Sequence, residues 1–110
     1  MAKVYLSGLA KQDLSDAKRY TSEELQNPEA AKRVLARIFK SLRVLEQFPY
    51  SGTPLQITGI ETGYRSVASG SYRIFYHGDE ESVYVVRILY GRRDFMRILF
   101  GVTPAPDDEE

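Results

Sequence analysis

Apolar residues at Ala31, Val34, Leu35, Ile38, Leu42, Leu45 and Phe48 recur every three or four positions. Beyond residue 63 the apolar period drops to two. A chain whose hydrophobic period switches in this way reads as α+β, with helices and strands in separate parts of the sequence. In the helical part, Lys32, Arg33, Arg37, Lys40 and Arg43 occupy the side opposite the apolar stripe. The helix is expected to end near Phe48, because Pro49 disfavours helical geometry in the residue before it. Asn27-Pro28 opens it: Asn caps a helix well, and Pro suits the first turn, where its missing N–H has no partner anyway. Upstream, Ala10, Leu14, Ala17 and Leu25, with Thr21 between, predict an amphipathic helix over 9–25 with Ser7 as N-cap. Lys3 to Leu6 alternates weakly, as a short first strand would.

Residues 49–63 carry two prolines and three glycines and read as an irregular surface connection. Tyr64–Ala68, Tyr72–Tyr76 and Val83–Tyr90 are rich in Val, Ile, Tyr and Phe, which favour strands. Ser69-Gly70 suits a tight turn between the first two, and Gly78 to Glu81 a longer polar turn before the third. The last strand is apolar on both faces, as a central strand would be. Phe95, Ile98 and Leu99 then fall at helical spacing, with Asp94 as a possible cap. The order is β-α-α-β-β-β-α. The expected fold is a helical hairpin packed on a small antiparallel sheet, with a short C-terminal helix and the first strand beside the last.

At 110 residues the chain can bury one compact core. Cysteine is absent, which excludes a disulfide scaffold, a thiolate zinc site and a Cys nucleophile. The first residues lack the apolar core of a signal peptide, and no apolar run is long enough for a membrane span. The expected location is therefore the cytoplasm. The formal charge of +0 hides an uneven distribution. Asp107, Asp108, Glu109 and Glu110 contribute −4, so the body of the chain is a mildly basic +4.

The sheet half carries Arg65, Arg73, Arg87, Arg92, Arg93 and Arg97 and no lysine. Arginine is suited to planar, bidentate binding of phosphate or carboxylate. Strand alternation places Arg73 with Phe75 and His77, and Arg87 with Val83, Val85 and Leu89. Two readings stay open. One is a solvated face, or arginines paired with Asp94 and Glu61; the other is an anion- or partner-binding face formed by Arg65, Arg73, Arg87, Arg92 and Arg93. His77, the only histidine, is a general base on paper, but beside Gly78 at a strand end an idle role is commoner. No Ser-His-Asp set, phosphate loop, metal-ligand cluster or acid/base carboxylate pair is present. The residues alone therefore name no catalytic group, metal or cofactor.

Several segments together resemble the RelE/ParE superfamily of toxins from bacterial type II toxin–antitoxin modules. They are VYLSGLAKQDL with its early Asp13-Leu14, FPYSGTPL, GYRSVASGSYRIFY and VVRILYGRRDFMRILF, in that order. The resemblance spans nearly all of residues 3–100 and implies one toxin domain over 1–101, followed by a flexible acidic tail over 102–110. RelE-like members are ribosome-dependent nucleases that use arginines, lysines and a C-terminal Tyr or His. ParE-like members poison DNA gyrase. Arg73 and Arg93 match the positions of two RelE arginines, but Tyr64 and Ser66 stand where the lysines would be. Leu99 or Phe100 replaces the terminal Tyr or His.

These departures place the chain on the ParE-like side. The resemblance then implies a gyrase inhibitor that causes growth arrest by protein binding rather than by enzymatic chemistry. It also implies neutralisation by a ParD-like antitoxin and contact with DNA only indirectly, through the antitoxin or gyrase. A RelE-type mRNA endoribonuclease and an inactive antitoxin-binding relative are the alternatives.

Overall fold

A computed structural model describes residues 1–91 and 95–101. The elements run β1 (Lys3–Leu6), α1 (Gly8–Arg19), a π-helical turn (Tyr20–Glu24) and α2 (Pro28–Gln47). They continue with β2 (Thr53–Ile57), β3 (Ile60–Ser69), β4 (Tyr72–Gly78), β5 (Ser82–Tyr90) and α3 (Phe95–Phe100). The five strands form one sheet in the order β1-β5-β4-β3-β2. Strands β2 to β5 are an antiparallel meander, and β1 lies parallel to β5, with Lys3 opposite Ser82 and Leu6 opposite Val85. This is the expected helical hairpin on a sheet, with the first strand beside the last.

The local signals act as their chemistry dictates. The Ser7 hydroxyl accepts from Ala10 N at 3.0 Å, and the Asn27 side chain accepts from Ala30 N at 3.0 Å. Each satisfies one backbone donor at a helix start that has no intrahelical partner. The first helix, expected to reach residue 25, leaves α geometry after Arg19. There the Thr21 and Ser22 hydroxyls donate to the carbonyls of Ala17 and Lys18, and Leu25 N donates to Tyr20 O five residues back. Hydroxyls bonded to the preceding turn bend a helix and here accompany its widening.

The stretch 49–63 is not wholly irregular: it contains β2. Pro54 masks the strand in the sequence, but β2 is an edge strand, where a missing N–H does little harm. Thr58 and Gly59, at φ +50° and +82°, make the two-residue turn into β3. Positive φ at both positions is the hairpin geometry that matches strand twist. The next turn falls on Gly70-Ser71, since Ser69 pairs with Tyr72, one residue later than expected.

Val34, Ile38, Leu42 and Leu45 of α2 pack with Ala10 and Leu14 of α1 against Ile74, Tyr76, Val83, Val85 and Ile88. Each such aliphatic side chain contributes about 1.5–3 kcal/mol when fully buried. Phe48, which the periodicity placed in this stripe, is 62% exposed. Small residues on the buried face of α1, Ala10 and Ala17, let that helix lie close to the β5 backbone. No helix among the described residues is long and apolar enough to cross a membrane.

Candidate functional site

A bulge in β5 decides where the arginines go. Phe75 pairs with Arg87 and Tyr76 with Val85, so Val86 is an extra residue. An extra residue resets alternation beyond it. Arg87 therefore does not share a face with the core residues Val83 and Val85, as simple alternation had it, but stands opposite Phe75. Val86 also anchors the start of α1: its carbonyl accepts from the Ser7 hydroxyl at 2.8 Å.

Beyond the end of β1, α1 crosses the open edge of β5. The Asp13 carboxylate stands in for the missing strand, accepting from Ile88 N at 2.9 Å. It also takes both arms of the Arg87 fork, Nε at 2.8 Å and Nη2 at 2.9 Å. Asp13 is 8% exposed and the Arg87 side chain 19%. The hydrogen bonds to Asp13 hold the Arg87 guanidinium above its ordinary value, against the opposing effect of burial. The partner of Arg87 is thus Asp13 and not Glu61, among the described residues. The sequence carried one sign of this: Asp13 interrupts the stripe of Ala10 and Ala17, and a buried carboxylate needs a cation.

Arg65 is held elsewhere. Its Nη1 donates to the carbonyls of Gly52 at 2.9 Å and Tyr50 at 3.2 Å, and its guanidinium lies 5.3 Å from the centre of the Tyr50 ring. Beside it, the buried Tyr76 hydroxyl donates to Pro49 O and accepts from Gly52 N. Burial raises the Tyr76 hydroxyl above its ordinary value, so it stays protonated in this role. A Cβ at Gly52 would lie 2.6 Å from that hydroxyl. The segments FPYSGTPL and GYR are therefore two sides of one structural lock.

Arg73 remains on the sheet face turned away from the hairpin, donating to the Ser66 hydroxyl at 2.9 Å. Aromatic rings cross that face. Tyr5 stacks on Tyr84 at 5.4 Å, Tyr84 on His77 at 5.4 Å, and His77 meets Tyr64 edge-on at 5.2 Å. Helix α3 rests on the same face, with Phe100 against Tyr64 and Phe95 against Phe75. His77 is half-buried between rings rather than exposed, and neither ring can orient it as a carboxylate orients a catalytic base. The structure thus separates Arg65, Arg73 and Arg87, while Arg92, Arg93 and Asp94 lie outside the described residues, as does the 102–110 tail. Among the described residues, no cluster of three or more His, Cys, Asp or Glu is placed to hold a metal ion.

Sequence reasoning also missed a cavity of about 350 Å³ at the far end of the hairpin, among them Tyr20, Tyr72, Tyr90, Asp16 and Ile88. Its signal was diffuse, since the three tyrosines come from three elements. Burial, with lesser contributions from Tyr20 and Tyr90, raises the Tyr72 hydroxyl above its ordinary value.

The architecture recurs in solved toxin structures. A chromosomal ParDE system from P. aeruginosa matches with a TM-score of 0.67 at 17% identity, over 82% of this chain and 96% of that one. The RelBE2 toxin–antitoxin complex from Mycobacterium tuberculosis matches with a TM-score of 0.58 at 24% identity, over 81% and 96%. A YoeB/ParE toxin from Agrobacterium tumefaciens matches with a TM-score of 0.57 at 19% identity, over 80% and 96%. No curated protein matches by sequence. The fold is that of the RelE/ParE superfamily of toxins. Residues 4–95 match the family model of the ParE toxin of the parDE type II toxin–antitoxin system, and the chain belongs to that family.

Proposed function

We propose that this toxin acts as ParE-like proteins do, by binding DNA gyrase and trapping its complex with cleaved DNA, and that a ParD-like antitoxin neutralises it. The supporting observation is the filling of the face where a RelE-type nuclease would work. Tyr64 and Ser66 stand at the lysine positions; Tyr64 is packed between His77 and Phe100, and Ser66 accepts from Arg73. Cutting RNA needs a base for the 2′-OH and an acid for the leaving group. These residues offer rings and a hydroxyl instead. Arg73, with Arg92 and Arg93, is the set we assign to partner contact, while Arg65 and Arg87 hold the scaffold. The antitoxin expectation has support in the neighbouring structures, which include a ParDE system and a RelBE2 complex.

Induced expression in a bacterium, with and without a co-expressed ParD-like antitoxin, tests the reading. The expected result is an SOS response and filamentation that the antitoxin abolishes. Growth arrest without DNA damage would favour the ribosome-dependent nuclease.

A further inference from the structure

The outer face of α2 carries five exposed cations, and neither the proposed target nor the fold accounts for them. Lys32, Arg33, Arg37, Lys40 and Arg43 are all exposed. At about 100° per residue they form a band centred opposite the buried Ile38, Leu42 and Leu45, and at about 1.5 Å per residue the band is roughly 16 Å long. The acids of α2 are Glu29 and Glu46, one near each end and neither within the band. Glu29 meets Lys32 at 3.8 Å with both side chains about three-quarters exposed, a contact worth little. No carboxylate among the described residues forms an ion pair with Arg33, Arg37, Lys40 or Arg43. Five cations are thus gathered on one helix face of a chain whose formal charge is +0.

We propose that this face binds duplex DNA directly, through the phosphate backbone and without reading sequence, in place of the purely indirect contact that the family resemblance implies. Shape favours a polyphosphate over an acidic peptide. A peptide helix docks by a row of apolar anchors into a groove. Here the exposed apolar residues are Phe39, beside the band, and Val44, at its C-terminal end; they lie about 140° apart around the helix and form no row of anchors. A convex basic helix about 10–12 Å across matches a duplex groove about 12 Å wide. The inference does not depend on gyrase. If the gyrase reading also holds, the helix would meet the DNA that the target enzyme carries.

The test is fluorescence anisotropy of the full chain with a labelled duplex of about 20 base pairs, over about 50–200 mM salt. Each phosphate contact adds about −0.9 to the slope of log K against log salt, so three to five contacts give a slope of roughly −3 to −4.5. Charge reversal at Arg33→Glu, Arg37→Glu and Lys40→Glu together should weaken binding at least about 30-fold and flatten the slope to about −1 or less. Circular dichroism and antitoxin binding by the same variant show that it is folded. A double variant Arg33→Lys and Arg37→Lys should bind nearly as well as the parent, since point charges suffice. Two outcomes would overturn the proposal: no binding by the parent at low salt, or a reversed variant that binds like the parent. Capture of a poly-glutamate peptide without DNA binding would assign the face to an acidic protein and also overturn it. DNA binding by a parent that leaves gyrase untouched would remove the gyrase reading alone.

Discussion

The two faces of the sheet are built from different chemistry. The face under the helical hairpin carries Ile74, Tyr76, Val83, Val85 and Ile88, closed over by aliphatic residues of α1 and α2. The other carries Tyr64, Ser66, Arg73, Phe75 and His77, crossed by a row of rings and met by α3. Where the hairpin seals against the sheet, arginines are consumed as structure. Arg87 neutralises a buried carboxylate, and Arg65 ties down the loop that follows α2. On the opposite face Arg73 has a neutral hydroxyl as its partner and keeps donors for another molecule. The same residue type serves architecture or recognition according to what the neighbouring layer places beside it.

The strongest way to break this contrast is at Asp13. Asp13→Ala strands the Arg87 guanidinium and the Ile88 N–H together, and removing one partner of a buried pair costs about 3–5 kcal/mol. Thermal unfolding should show a loss in Tm on the order of 10 °C or more. Asp13→Asn, which keeps an acceptor for Ile88 N–H, should lose less. Next comes Tyr76→Phe, which removes the group joining Pro49 O to Gly52 N. Denaturant unfolding should show a loss of about 1–3 kcal/mol, because buried backbone groups are left unpaired.

Arg73→Glu should behave in the opposite manner. Stability should stay within about 1 kcal/mol of the parent. Antitoxin affinity, measured by calorimetry, should fall by more than about threefold. Unchanged affinity would remove that face from partner binding. The smallest effect belongs to Asp79 in the turn before β5. The N–H groups of Glu81 and Ser82 hold its carboxyl below the ordinary carboxylate value. Its contribution is complete above the unfolded value of about 3.9 and is lost as pH falls through the lower folded value. Asp79→Asn should therefore lower Tm slightly above pH about 4, where the contribution is complete, and converge on the parent in stronger acid, which flattens the acid limb of a Tm-against-pH curve.

Both helices of the hairpin, their caps and four of the five strands are legible in the sequence because each rests on local periodicity. Strand β2 was not, because its five residues include Pro54 and its stability comes from pairing with β3. The bulge at Val86 was not, because nothing in VYVVRILY marks the extra residue; only the partner strand's register defines it. The Asp13–Arg87 pair joins residues 74 apart in sequence, beyond the reach of any spacing rule. The basic character of the sheet half was legible, but its division into structural and available arginines depended on those three non-local features.

Purified gyrase tests the central claim most directly, in a supercoiling reaction that also scores cleaved DNA. The toxin should block supercoiling and accumulate cleaved complexes, and prior addition of a ParD-like antitoxin should abolish both effects. Unchanged supercoiling, together with mRNA cleavage by the same protein in a translation extract, would contradict the account and make the ring-lined face a nuclease site.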